Sequence, residues 1–161
     1  MGNWCLNEVR FIGDDLQLKE LEKMITEVIR HESKSGRGQL FPMAETKEGY
    51  LFEISYEDGS LRYLTKYMPN TPVIMALADY LGLDYVHLYC EPAMGVFGQD
   101  TYQKGQAFEV FISAEDYDKF DFEYGRGYTF GGKLYPTEDE VLRLILNQKM
   151  QELLKKQEEA L

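Results

Sequence analysis

Two runs of the chain each join a strand-like stretch to a glycine-marked turn: Asn3-Trp4-Cys5-Leu6-Asn7-Glu8-Val9-Arg10-Phe11-Ile12-Gly13 and, some way downstream, Tyr89-Cys90-Glu91-Pro92-Ala93-Met94-Gly95-Val96-Phe97-Gly98. Between them the hydrophobic period changes in a definite order. From Trp4 to Ile12 the residues are large and β-prone, and Gly13-Asp14-Asp15 supplies a turn and a helix cap. Leu18, Leu21, Ile25, Val28 and Ile29 then recur at helical spacing, with acidic residues early and Arg30 and His31 late, which predicts a helix over 15–32. Ser33 to Gly38 breaks that helix, and the stretch to Gly49 reads as irregular. Tyr50, Phe52, Ile54 and Tyr56 alternate with polar or edge residues, and Asp58-Gly59 turns the chain into a second alternating run from Leu61 to Met68. Asn70-Thr71-Pro72 opens a short helix carrying Ile74, Leu77, Ala78 and Leu81 on one face, and Gly82 closes it. Tyr85 to Pro92 alternates again.

The order strand, helix, strand, strand, helix, strand predicts an α+β fold: a ferredoxin-like βαββαβ antiparallel sheet with both helices on one face. The expected core is Trp4, Val9, Phe11, Phe52, Ile54, Leu64, Val86 and Leu88. With Val86, Leu88 and Cys90 turned to the helices, Tyr85, His87 and Tyr89 fall on the opposite, open face. Beyond this unit the sequence predicts a strand over Phe108 to Ile112, an acidic and aromatic edge strand from Glu115 to Tyr124, and glycine-rich turns from Gly125 to Gly132. A capping box at Thr137-Glu138-Asp139-Glu140 opens a long helix marked by Val141, Leu142, Ile145, Leu146, Met150, Leu153 and Leu154. The expected organisation is a ferredoxin-like domain over 1–105 and a C-terminal extension over 106–161, with its strand and long helix packed on the same domain. The open sheet face is then covered by that extension or by a second subunit.

Composition narrows the function. A chain of 161 residues can bury one sizeable core, and its 12 tyrosines and 9 phenylalanines set it outside the disordered class. The formal net charge of -11 repels phosphate backbones and anionic lipid, so nucleic-acid binding would need a local exception. No apolar run approaches a membrane span and no basic-flanked leader opens the sequence, so the reading is a cytoplasmic protein. Gly2 is not followed by the Ser or Thr at position 6 that myristoylation requires; Leu6 stands there. Cys5 and Cys90, the 2 cysteines, read as free thiols within strands, with a disulfide between neighbouring strands as the alternative.

The motifs that could carry chemistry have plainer readings. His87 and Cys90 stand at half of a metal-site spacing, but residues i and i+3 of a strand point to opposite faces, so no metal and no cofactor is predicted. No G-x-S-x-G elbow accompanies the histidines, and no catalytic residue is assigned. Gly125-Arg126-Gly127 and Gly131-Gly132-Lys133 lack the Ser or Thr and the helix that a phosphate loop needs. The pairs Asp14/Asp15, Glu57/Asp58 and Glu115/Asp116 fall at caps or turns. Lys104 to Phe111 partly matches an RNA-recognition strand, but Gln106 stands where a stacking aromatic belongs and Glu109 where valine does. Candidate binding residues are therefore Tyr85, His87, Tyr89 and Glu91 on the open face, and Tyr117, Phe120 and Phe122 in the acidic stretch.

Asn3-Trp4-Cys5, Asn7 and Gly13, then Met68-Pro69 with Pro72-Val73-Ile74, then Glu91-Pro92 with Met94-Gly95 and Gly98, resemble the pattern of the YubB ferredoxin-like family over residues 1 to 105. The acidic stretch from Glu115 onward is not part of that pattern. Members of that family are mostly encoded on plasmids, phages and other mobile elements, and the resemblance implies the fold without an activity. The expected function is a non-catalytic accessory protein acting through protein–protein contacts, with a homodimer as one form of contact. The alternatives are a single-stranded nucleic-acid binder using the open sheet face and an acidic nucleic-acid mimic that inhibits a host enzyme.

Overall fold

The computed structural model describes residues 3–161, so the reading of Gly2 lies outside the described residues. The chain forms two compact units, residues 1–107 and 108–161. The first carries β1 (Trp4–Ile12), α1 (Asp15–Ser35), β2 (Phe52–Glu57), β3 (Ser60–Lys66), α2 (Thr71–Leu81), β4 (Asp84–Glu91) and β5 (Val96–Gln103). Its strands lie in the order β2-β3-β1-β4-β5, and the first four with the two helices make the ferredoxin-like plan. Neighbouring strands run antiparallel throughout.

Local chemistry explains the joints. The Asp14 carboxylate accepts from Gln17 N, and the Gln17 side-chain oxygen accepts from Asp14 N, both at 2.8 Å, which closes a capping box at the start of α1. The Gln17 side-chain amide also donates to Gly82 O at 3.0 Å, tying the beginning of α1 to the end of α2. A Cβ at Gly13 would lie 2.3 Å from Leu83 Cδ2 and 2.7 Å from Gln17 Oε1, so any other residue there would have to push those two side chains aside. Leu21, Ile25 and Val28 of α1 and Val73, Ile74, Leu77 and Ala78 of α2 bury against Val9, Phe11, Leu61, Tyr63, Tyr85 and Tyr102 of the sheet.

Within β4 the two faces are the reverse of the sequence expectation. Tyr85, His87, Tyr89 and Glu91 are buried on the helix side, while Val86, Leu88 and Cys90 are half-buried on the other. The register decides this. His87 lies opposite Val9 and Tyr89 opposite Asn7, and paired residues share a face with the buried set of β1, Cys5, Asn7, Val9 and Phe11. Tyrosine and histidine are amphipathic rings with a large apolar body; His87 Nε2 meets Asn7 in the core, while the buried Tyr85 hydroxyl has no hydrogen-bond partner among the described residues. Of the expected core, Val9, Phe11 and Ile54 are buried; Trp4 is 39% exposed, and Phe52, Leu64, Val86 and Leu88 are half-buried on the outer face.

Strand β5 has no counterpart in the sequence expectation. Gly98 and Asp100 are poor strand formers, yet both faces of β5 are buried from Phe97 to Tyr102. Tyr89 lies across Gly98 so closely that a Cβ there would stand 2.4 Å from its hydroxyl. Cys5 and Cys90 are both free thiols. Cys90 pairs with Leu6 on the outer face and Cys5 points into the core, so the neighbouring strands carry them to opposite sides of the sheet.

A turn at Lys104-Gly105 leads into β6 (Gln106–Phe111), along which the chain passes into the second unit. There the acidic stretch is not one edge strand: Ala114–Lys119 is a short 3-10 helix, followed by β7 (Asp121–Glu123), β8 (Gly127–Phe130) and β9 (Lys133–Tyr135) in a three-stranded antiparallel sheet. The Ser113 and Asp116 side chains cap that 3-10 turn reciprocally, which outweighs the strand preference of the interleaved aromatics. Thr137 caps α3 (Glu138–Glu159), whose Val141, Leu142, Ile145, Leu146 and Met150 are buried. No helix among the described residues is long and apolar enough to cross a membrane.

Candidate binding surfaces

The row Tyr85, His87, Tyr89 and Glu91 is buried, and His87 joins a polar network while the Tyr85 hydroxyl has no hydrogen-bond partner among the described residues. Asn7 Nδ2 donates to Cys5 O at 3.1 Å and to Thr65 Oγ1 at 3.0 Å, which leaves Asn7 Oδ1 as the acceptor for His87 Nε2 at 2.9 Å. His87 is thus a neutral imidazole with its proton on Nε2, and burial pushes its pKa down to about 3. Thr65 passes the chain on to Met68 O at 2.7 Å. Tyr63 donates to Asn70 Oδ1 at 2.6 Å, and Thr71 donates to Asp100 Oδ2 at 2.8 Å. The Glu91 carboxylate accepts from Ala93 N and Met94 N and caps the short turn Pro92–Met94. These side chains lock four strands and the start of α2 together. A fully enclosed neutral imidazole offers no proton to a solute that cannot reach it, so the network's work is structural.

In the second unit, Tyr117, Phe120 and Phe122 are brought together by a residue that had not been singled out, Tyr128. Ring centroids are 6.1 Å apart for Tyr117 and Phe120, 6.1 Å for Phe120 and Tyr128, and 5.0 Å for Phe122 and Tyr128, a continuous ladder across the β7–β8 hairpin. The pairing of Phe122 with Tyr128 follows from the strand register, and the only sequence signal for it was the glycine turn between them. The ladder is open: Phe122 is 60% exposed, Tyr117 42%, and Tyr124 at the tip 95%.

The charges around it are sorted. Lys119 turns inward to Asp116 at 2.7 Å, and Arg126 pairs with Glu123 at 3.1 Å. Both cations are therefore spent locally, while Glu115, Asp118 and Asp121 stand exposed beside the rings. Asp116 itself is buried; burial would raise its pKa, but Lys119, Lys149 and the Ser113 amide and hydroxyl outweigh this and hold the carboxyl well below its usual range. Lys149 also donates to Phe111 O at 2.7 Å, so one ammonium of α3 fixes the 3-10 helix and the end of β6.

The outer sheet face of the first unit is the other exposed surface. Trp4 meets Phe52 edge-on at 5.2 Å, with Lys66 Nζ 5.9 Å and 5.5 Å from the two ring centres. Leu6, 53% exposed, lies opposite Leu64 in the next row. Two clefts flank the helices, one of about 640 Å³ lined by Met43, Met75, Tyr80, Glu45 and Asp79, the other of about 560 Å³ lined by Met24, Val28, Leu40, Glu27 and His31. Neither is lined by a serine or a cysteine. No group of three or more His, Cys, Asp and Glu side chains that could hold a metal occurs among the described residues.

A family model described as the ferredoxin-like domain in Api92-like protein matches residues 47–131, from just before β2 to the end of β8. The matched segment takes in the whole aromatic ladder. No curated protein and no solved structure matches the chain.

Proposed function

Since the chain belongs to the family of ferredoxin-like domains in Api92-like proteins, we propose that it is a non-catalytic binding protein that docks a basic protein partner through the ladder Tyr117–Phe120–Tyr128–Phe122. The observation that carries this reading is an exposed run of contacting rings whose neighbouring cations are already engaged, leaving carboxylates at its border. Aromatic side chains supply most of the affinity in protein contacts, and one-signed charge around them selects the partner and speeds its approach. A monomeric protein has no use for such a patch in isolation. We place it, on its resemblance to the YubB family, as a cytoplasmic accessory protein of a bacterial mobile element.

The test is capture from a bacterial lysate with the tagged full-length chain and with Tyr117→Ser/Phe122→Ser. The wild-type chain should retain a basic protein that the double variant loses, and raising the salt should weaken that retention, with the melting temperature shared by both chains. Identical retained sets would end this reading. A second reading, imitation of nucleic acid by the exposed carboxylates, is distinguished by adding duplex DNA, which then displaces the partner. Direct binding of single-stranded nucleic acid to the outer sheet face has less support, because Glu8 and Glu57 stand among Arg10, Arg62 and Lys66 there.

A further inference from the structure

We infer that the outer sheet face of the first unit is a self-association surface, occupied by the same face of a second copy about a two-fold axis. The strand register arranges this face in rows. Phe52, Leu64 and Leu6 form one row with Trp4 and Lys66 beside it, and Arg62 and Glu8 form the next. The apolar row is solvent-accessible at the centre of a sheet, where a monomer has no reason to leave it. Its charged neighbours have both signs: Arg10, Arg62 and Lys66 against Glu8 and Glu57.

That mixture identifies the occupant. A two-fold contact sets a patch against itself, so a patch of one sign repels its copy, while a patch with Arg62 close to Glu8 can exchange those partners across the axis. Within one chain Arg62 Nη2 and Glu8 Oε1 are 3.8 Å apart, so both signs stand together on this face. The overall charge of -11 discourages association elsewhere, and the aromatic ladder with its exposed carboxylates would repel its own copy. At one edge of the sheet, β2 is blocked against strand addition: the Glu32 carboxylate accepts from Glu53 N at 2.8 Å and Ile54 N at 2.9 Å, and the strand bulges there.

Sedimentation equilibrium of the full chain over a range of micromolar concentrations tests this. The expected result is a reversible dimer. Leu6→Glu should weaken it by at least about tenfold, the effect of losing one central anchor. Arg62→Glu and Glu8→Arg should each weaken it, and the double variant Glu8→Arg/Arg62→Glu should restore it; the exposed Arg62 keeps the test valid if Leu6→Glu fails to fold. Phe122→Ser should leave the dimer constant unchanged, which separates failure here from failure of the partner-docking reading. A chain that stays monomeric throughout, or a dimer indifferent to Leu6→Glu and to both single charge reversals, would overturn the inference. So would a monomer that binds single-stranded DNA and loses it on Arg62→Glu.

Discussion

The two units partner their buried polar groups differently: the first uses neutral donors, the second ammonium groups. In the first, His87, Asn7 and Thr65 form one uncharged hydrogen-bonded chain and Tyr63 with Asn70 an uncharged pair, while the buried carboxylates Glu91 and Asp100 accept from backbone amides and the Thr71 hydroxyl. The second buries a carboxylate, Asp116, and surrounds it with two ammonium groups and the donors of Ser113. Their surfaces differ too, since the first unit exposes both signs on its outer sheet face and the second leaves carboxylates around an aromatic ladder. A large sheet covered by two helices can enclose neutral polar groups and satisfy them from neighbouring strands. A unit of short strands and one helix has no such interior, and one strong ionic anchor sets its local geometry.

Acid should separate the two, and this is the largest expected effect. His87 titrates near 6.5 when unfolded and at about 3 when folded, so the unfolded chain takes up the proton first. Stability of the first unit is therefore complete above pH 6.5 and falls as the pH drops toward 3, by about 3 kcal/mol on reaching pH 4.5. Urea unfolding followed by amide exchange in β1 and β4 measures it. In His87→Gln the loss between pH 6.5 and 4.5 should be much smaller, even though the variant begins less stable. An unchanged slope would mean that another group carries the acid response and that the first unit is not distinguished by its neutral imidazole.

Asp116 behaves in the reverse window. Its folded pKa is depressed, so the stability it contributes is present above the ordinary carboxyl range, near 3.8, and is lost only as the pH falls through the lower folded value. At pH 5 the second unit should be intact while the first is already weakened. Asp116→Asn should cost about 2 kcal/mol, because Ser113 N, Ser113 Oγ and the ammoniums of Lys119 and Lys149 lose a charged acceptor, although both lysines keep access to water. Faster amide exchange at residues 113–119, with β1 unaffected, is the signature. Equal loosening in both units would dissolve the contrast.

What was legible in the sequence follows the same division. The helices and strands of the ferredoxin-like plan are local patterns, and Leu21, Ile25, Leu77 and Val9 show their buried faces by spacing alone. The facing of β4 is not local. It is set by which residues of β1 lie opposite, and the apolar Val86 and Leu88 lost the interior to the rings of Tyr85, His87 and Tyr89. Strand β5 was hidden by Gly98 and Asp100, residues whose reasons, the ring of Tyr89 and the hydroxyl of Thr71, sit on other elements. The composition of the ladder was readable in Tyr117, Phe120 and Phe122, but its continuity depends on Tyr128 across a hairpin.

The smallest effect concerns a carboxylate of the first unit that meets the backbone of the sheet's edge strand. Glu32, in the last turns of α1, reaches the bulge of β2 and accepts from two consecutive amides, at Glu53 and Ile54. Glu53 has φ 50°, a left-handed conformation that breaks the strand's outer hydrogen-bonding row. In Glu32→Ala both amides turn to water, so the stability cost should be about 1 kcal/mol. Glu32→Gln keeps one acceptor oxygen and should lose less. Hydrogen exchange at Glu53 and Ile54 should quicken in that order while the second unit, whose edge strand β7 has only three residues, is unchanged. The consequence reaches the proposed dimer. With the β2 edge uncapped, Glu32→Ala gains a second mode of association, and higher oligomers should appear at concentrations where the wild-type chain stops at two copies. If Glu32→Ala shows neither quicker exchange nor higher oligomers, the bulge alone protects the edge.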